Sequence, residues 1–292
     1  MIKIYFKLFR IPQWIKNLFV FVPLLFSQNL FDGRTLLTSI EAFILFCFTS
    51  SIIYVINDIV DIKADQAHPI KKLRPLPSGK ISKKSALTSV IILLVITIFL
   101  VSFFNLRFIS CITLFFFLNV LYTFFFKHIV LLDVFSIAAG FMLRIIGGAL
   151  IISVEISSWL ILTTMFISLF LGVMKRYSEL TITLEDKTGI TRKVLSDYSL
   201  DFTKQLSTIA AAGVIICYAL YSVSQRTVRV FGTENLIYTT PFVVFGIFRY
   251  MYLVFMNNEG ENTTQMMLTD LPMILTVLLY ILTTVTIVYN LI

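Results

Sequence analysis

Charge is scarce in this chain. Asp, Glu, Lys and Arg together make up 14% of its 292 residues, whereas apolar residues make up 58% and Phe alone contributes 29. A water-soluble domain carries about 25% charged residues, so the scarcity excludes a soluble globular protein and points to a lipid bilayer. Cysteine and histidine are scarcer still. Cys47, Cys111 and Cys217 all fall inside apolar runs, where a thiol packs as a small, inert hydrophobe. His68 and His128 stand outside any metal-ligand spacing. That excludes a zinc site of the usual pattern and leaves no well-placed imidazole to act as a base. There is no low-complexity tract and no linker long enough to divide the chain, so residues 1–292 read as a single membrane domain.

What the chain does have is apolar runs. Nine approach or reach the 17–25 residues that cross a bilayer: about 17–33, 36–56, 86–104, 107–126, 133–152, 158–174, 206–225, 236–256 and 271–291. The third and fourth are separated by little more than Asn105 and Arg107, which predicts a tight helical hairpin. Pro12 and Trp14 suit an interfacial lead-in to the first run, which lacks the small-residue cleavage site of a signal peptide. The basic residues are unevenly spread. With the N-terminus in the cytoplasm, eighteen Lys and Arg fall in inside loops and only Arg34, Arg107, Arg226 and Arg229 in outside ones. This bias predicts N-in, C-out, in a cell (inner or plasma) membrane, with the charged loops facing the cytoplasm. The net charge of +8 therefore needs no nucleic acid to explain it; topology, anionic lipid and phosphate substrates suffice.

Two inside loops are long and charged, 57–85 and 175–205. They follow the second and sixth helices, a recurrence that suggests two similar halves. The first opens Asn57-Asp58-Ile59-Val60-Asp61-Ile62-Lys63-Ala64-Asp65. A helix continued through it projects Asp58, Asp61 and Asp65 from one face. Three carboxylates so placed repel one another unless a cation lies between them, and acids at a membrane edge gain nothing structurally. Mg²⁺, held by one or two carboxylates and by substrate phosphates, is the expected answer. Lys71, Lys72 and Arg74 follow, placed to hold the same polyanion or to serve as a solvated loop that obeys the charge rule.

The second loop opens Lys175-Arg176-Tyr177-Ser178-Glu179. Either Lys175 and Arg176 hold phosphate oxygens while Glu179 orients them or binds metal, or Glu179 makes a structural salt bridge at helical spacing. Asp197 and Asp201 form a second carboxylate pair or supply favourable charge at a helix N-terminus. Arg144 and Arg249 lie inside apolar runs, where an arginine lines a cavity, pairs with an acid or snorkels. Gly140, Gly147 and Gly148 beside Arg144 allow close helix packing. Asn119 and Tyr122, ahead of Lys127, are polar groups that face protein or a cavity.

The NDxxDxxxD run after the second helix, together with nine spans, resembles the UbiA superfamily of membrane prenyltransferases. Within it, three stretches are similar to the decaprenyl-phosphate phosphoribosyltransferase branch: Asn57–Asp65 with Ala67–Pro75; Asn119, Tyr122 and Lys127-His128 leading to Asp133, Gly140 and Leu143-Arg144; and Lys175–Leu180. The branch's YxxxKRxxE motif stands here as Lys175, Arg176 and Glu179, with Leu171 in the tyrosine position. The resemblance implies an all-helical bundle around a central cavity and a Mg²⁺-dependent transfer of 5-phosphoribose from phosphoribosyl pyrophosphate to a polyprenyl phosphate. It implies Asp58, Asp61, Lys175, Arg176 and Glu179 as catalytic, with metal on Asp58, Asp61 and Asp65. Substrate would lie on Asn57, Lys71, Lys72, Arg74, Asn119, Tyr122, Lys127 and Arg144. A polyprenyl diphosphate:aromatic prenyltransferase is the alternative, and a lipid-phosphate transporter a second. No motif sets the oligomeric state or the lipid's chain length.

Overall fold

A computed structural model describes residues 2–67, 71–186, 193–257 and 269–291. Among them there is no strand. The α-helices are α1 (Ile2–Leu8), α2 (Val22–Phe26), α3 (Gly33–Val60), α4 (Ile62–Ala67), α5 (Lys83–Val101), α6 (Leu106–Phe124), α7 (Leu132–Ile151), α8 (Ser158–Asp186), α9 (Leu200–Val223), α10 (Gln225–Phe231), α11 (Thr240–Asn257) and α12 (Leu271–Val288). Short 3₁₀ turns lie between several of them. Eight of the helical segments are long and apolar enough to cross a membrane: α3, α5, α6, α7, α8, α9, α11 with its leading 3₁₀ turn, and α12.

The helices start where side chains can cap them. Asp32, Ser82, Asn105, Ser199 and Asp270 each accept a hydrogen bond from the backbone amide three residues on, each worth about 1 kcal/mol. Asn105 thereby makes the expected hairpin between α5 and α6. The first apolar run departs from its expected form. In place of a helix over 17–33, a 3₁₀ helix over Ile11–Phe21 runs into α2. Pro12 suits a helix start, where its missing N–H has no intrahelical partner to lose. The segment ends before Gln28, whose φ of 60° is left-handed. At Ile11–Phe26 it falls below the length of the other eight.

The chain divides into two compact units. The first holds residues 1–24, 32–127 and 143–154. Its interior packs Val20, Leu45, Phe46, Phe108, Ile112 and Phe115, with a second cluster around Leu8, Ile52, Val55, Leu76 and Val90. Gly147 and Gly148 do let α7 approach closely. A Cβ at Gly147 would lie 2.7 Å from the Phe46 ring, and one at Gly148 would overlap the Val20 carbonyl oxygen. On α5, Leu87, Ile91, Ile92, Val95, Ile98 and Phe99 are exposed, an apolar face suited to lipid. The second unit holds residues 25–31, 128–142 and 155–292. Its core includes Val134, Phe170, Met174, Val214, Tyr250 and Val254, and a smaller cluster packs Leu180 on Val194, Leu195 and Tyr198.

Candidate functional site

The acidic run does not stay on one helical face. α3 ends at Val60, and Asp61 takes a non-helical conformation (φ −93°, ψ 10°) as the C-cap, its amide donating to the Asn57 carbonyl. α4 then starts afresh at Ile62. The break sorts the three carboxylates by partner. Asp58 and Asp65 are both buried and converge on one guanidinium: Arg74 Nη1 donates to Asp65 Oδ2 at 2.6 Å and to Asp58 Oδ1 at 3.2 Å. Asp61 turns to the buried Lys127, whose Nζ donates to its two oxygens at 2.7 and 2.9 Å. Arg10 completes the group by pairing with Asp58. It does so from a left-handed backbone (φ 50°, ψ 45°), and its guanidinium lies 4.9 Å from the centre of the Tyr54 ring. A non-glycine residue held in this region costs roughly 1–3 kcal/mol and persists where its surroundings over-determine it. Burial, and then Arg10, pull the Arg74 guanidinium below its ordinary pKa, while Asp58 and Asp65 push it back.

Among the described residues there is no cluster of three or more metal-ligating side chains, so the three-carboxylate site does not form as such. Mg²⁺ asks for only one or two carboxylates beside substrate oxygens. Asp58 and Asp65 supply that pair, already converging on a single cationic nitrogen of Arg74. Hard oxygen donors around a position of positive charge fit the ion.

The substrate residues read from sequence are partly gathered here. Lys71 and Lys72 share the 3₁₀ turn before Arg74, with Lys72 exposed. Asn119 is turned back on its own helix, donating to the Phe115 carbonyl at 2.8 Å, and Tyr122 is half-buried one turn on. Arg144, 7% exposed, donates from Nε to Asn17 Oδ1 at 2.6 Å and stacks 4.6 Å from the Phe115 ring centre. Asn17 in turn donates to Cys47 Sγ at 3.2 Å. His68, Pro69, Ile70, Lys187 and Arg192, and the side chains of Glu185 and Asp186, lie outside the described residues.

In the second unit, Lys175, Arg176 and Glu179 sit on α8, which runs to Asp186 rather than ending in a loop at 175. Arg176 is 1% exposed, pairs with Glu179 three residues on, and its Nε lies 2.8 Å from Asp133 Oδ2. Asp133, fully buried at the start of α7, also accepts from the Tyr198 hydroxyl at 2.8 Å. That hydroxyl accepts from the amide of Leu131 at 2.8 Å, where the backbone turns left-handed. Burial, aided by Asp133, pushes the Tyr198 phenol well above its ordinary pKa. Lys175 is half-buried on the same turn as Arg176. Asp197 and Asp201 do not pair on one helix. Asp197 ends a 3₁₀ turn and Asp201 stands in the first turn of α9, beyond the Ser199 cap, and both are exposed. Arg249 pairs with an acid, Asp270, through two hydrogen bonds of 3.1 and 2.7 Å.

The sequence named Asp133 only within a resembling stretch, without a role, and did not single out Arg10, Tyr198 or Asn17. A carboxylate inside an apolar run was a readable signal for Asp133; the other three depend on contacts across many residues.

The chain belongs to the UbiA prenyltransferase family, whose sequence profile matches residues 18–273. It is accordingly a membrane-embedded transferase. Among curated proteins it is 34% identical over 252 residues to a decaprenyl-phosphate phosphoribosyltransferase of Corynebacterium glutamicum, covering 84% of this chain and 74% of the relative. It is 31% identical over 224 residues to the protein of the same name from Mycolicibacterium smegmatis, covering 75% and 70%. In fold it is similar to a UbiA homolog from Archaeoglobus fulgidus bound to GPP and Mg²⁺, with a TM-score of 0.73, 16% identity and coverage of 98% and 99%.

Proposed function

We propose that this protein transfers 5-phosphoribose from phosphoribosyl pyrophosphate to a polyprenyl phosphate. An oxygen of the lipid phosphate bonds to C1 of the ribose as the C1–O bond to pyrophosphate breaks, so one displacement inverts the anomeric centre. The lipid phosphate is ionised at neutral pH, and the step needs no general base. The observation that carries the reading is Arg74 seated between Asp58 and Asp65. Buried carboxylates and guanidinium groups interleaved in this way suit a substrate of many phosphate oxygens bound through cations. The names of the relatives support the ribosyl donor and the lipid acceptor.

In this reading Asp58 and Asp65 hold Mg²⁺, which when bound neutralises charge gathering on the departing pyrophosphate. Arg74 and Arg10 hold pyrophosphate oxygens, with Lys71 and Lys72 at the rim. Lys127 fixes Asp61. Lys175 holds a phosphate, and Arg176, through Asp133 and Glu179, sets the turn of α8 on which Lys175 stands. Nine crossings fit the same reading, with the Ile11–Phe26 segment as the first, the N-terminus inside, the C-terminus outside and the acidic run facing the cytoplasm. The positive-inside bias supports that orientation. The aromatic prenyltransferase alternative would draw on Asp197 and Asp201, which stand on separate elements, one ending a 3₁₀ turn and one in the first turn of α9.

The test is a radiolabel transfer assay. Membranes holding the protein receive labelled phosphoribosyl pyrophosphate, Mg²⁺ and a polyprenyl phosphate. Label is expected in the organic phase, and Asp58→Asn is expected to lower the rate about 10²–10³-fold, as loss of a transition-state charge partner does. No transfer with lipids of several lengths would overturn the reading.

A further inference from the structure

Arg74 and a divalent ion ask for the same seat. Arg74 Nη1 lies 2.6 Å from Asp65 Oδ2 and 3.2 Å from Asp58 Oδ1, so a cation shared by those two carboxylates takes the place of that nitrogen. Two positive charges do not occupy one position together. The three side chains also differ in depth. Asp58 and Asp65 are 2% and 6% exposed, and Arg74 is 29% exposed, so the guanidinium reaches the pair from its open side. The backbone behind it is held. The Arg74 amide donates to the Lys71 carbonyl at 3.0 Å, and its carbonyl accepts from the Ser78 amide at 3.0 Å. Pro75, Leu76 and Pro77 are buried, and Gln66 Nε2 donates to the Pro77 carbonyl at 3.4 Å. What is left to move is the side chain. Arg10 is placed differently. Among the described residues it pairs with Asp58 and not with Asp65, and it is kept over the Tyr54 ring. It has no shared seat to give up.

Two buried carboxylates that converge need a cation between them in every state of the protein. We propose that Arg74 is an exchangeable counter-cation. It neutralises Asp58 and Asp65, gives the pair up to a divalent ion, and turns its side chain outward. There its planar fork of donors is open to phosphate oxygens. The inference rests on the reading that Asp58 and Asp65 hold the ion, and not on which group is transferred. By linkage, a polyphosphate that draws Arg74 outward strengthens metal binding, and metal strengthens binding of the polyphosphate by the same factor. Ion and pyrophosphate donor therefore load together.

Purified full-length protein is titrated with Mg²⁺ alone, following the heat of binding and the melting temperature. The wild type is compared with Arg74→Met, Arg74→Lys and Asp58→Asn. Arg74→Met is expected to bind Mg²⁺ about 10- to 100-fold more tightly than the wild type, the worth of the charged hydrogen bond it no longer has to give up. It should melt lower without metal and gain more from saturating Mg²⁺. Arg74→Lys, still cationic, should bind Mg²⁺ as the wild type does. A second readout uses the wild type itself. Labelling of arginines with phenylglyoxal, followed by peptide mass spectrometry, should speed several-fold at Arg74 when Mg²⁺ is added and stay level at Arg10. Equal or weaker Mg²⁺ binding by Arg74→Met, or labelling of Arg74 that Mg²⁺ does not raise, would overturn the exchange. Asp58→Asn that binds Mg²⁺ as well as the wild type would overturn both the exchange and the assigned metal ligands. Exchange in a protein that transfers no label would uphold the role of Arg74 and sink the reaction. Label transfer without exchange would do the reverse.

Discussion

Arg176 and Asp133 form an ion pair of 2.8 Å in which each side chain is 1% exposed. One comes from the middle of α8 and the other from the first turn of α7, so the pair pins two helices together from inside. Removing one partner of such a pair leaves a buried charge without its partner and costs about 3–5 kcal/mol. We expect Asp133→Asn and Arg176→Met each to lower the melting temperature sharply in detergent. The double variant should be less destabilised than the sum of the two. Additive losses would show that the residues do not act as a pair.

Tyr198 holds the same carboxylate from a third element. Its hydroxyl serves both Asp133 and the Leu131 amide, so Tyr198→Phe leaves the buried Asp133 carboxylate and the Leu131 amide each short of a partner. A loss of about 1–3 kcal/mol is expected, seen as a lower midpoint in thermal unfolding. An unchanged midpoint would mean that the hydroxyl contributes nothing to the hold on Asp133.

Gly148 carries a packing requirement that Gly33 does not. A methyl at Gly148 meets the Val20 carbonyl, while one at Gly33 meets nothing within 4 Å. Gly148→Ala should therefore lower folded yield strongly. Gly33→Ala should stay within about 0.5 kcal/mol of the parent, as exposed substitutions do. Equal yields would refute the close approach of α7 to the 3₁₀ helix.

Asp270 gives a pH signature. Hydrogen bonds from Arg249 hold its carboxyl below the ordinary 3.8. A depressed carboxylate stabilises the fold above its unfolded-state pKa, and the benefit disappears as pH falls through the folded-state value. The melting-temperature gap between wild type and Asp270→Asn should be constant from neutrality to about pH 5 and shrink below about pH 4. A gap that stayed at its full neutral-pH size however far the pH was lowered would contradict the pairing.

Much of the architecture was readable because burial in lipid writes itself as apolar length. Eight of nine apolar runs became helices long enough to span. The first did not keep its expected bounds, because Pro12 starts the helix early and left-handed Gln28 follows its end. The acidic run announced itself by spacing, but spacing alone implied one helical face. The break at Asp61 goes with a partner 66 residues away, Lys127, and no local pattern encodes that distance. The KRxxE turn was legible as residues; the burial of Arg176 against Asp133 was not, since it depends on how α7 and α8 pack. Arg249 resolved into the simplest of its options, an acid at the start of the next helix.

The 3₁₀ winding of Ile11–Phe21 imposes a grammar of threes on the chain's beginning. With three residues per turn, side chains three apart eclipse. Trp14, Asn17 and Val20 therefore form a single row, which bonds Ser51, meets Arg144 and underlies Gly148 in turn. An α-helix would have fanned the same three around its axis. One residue inserted ahead of Val20 rotates the row by about a third of a turn and separates all that follows from its partners. Insertions and deletions in this stretch can keep the row in register only in multiples of three.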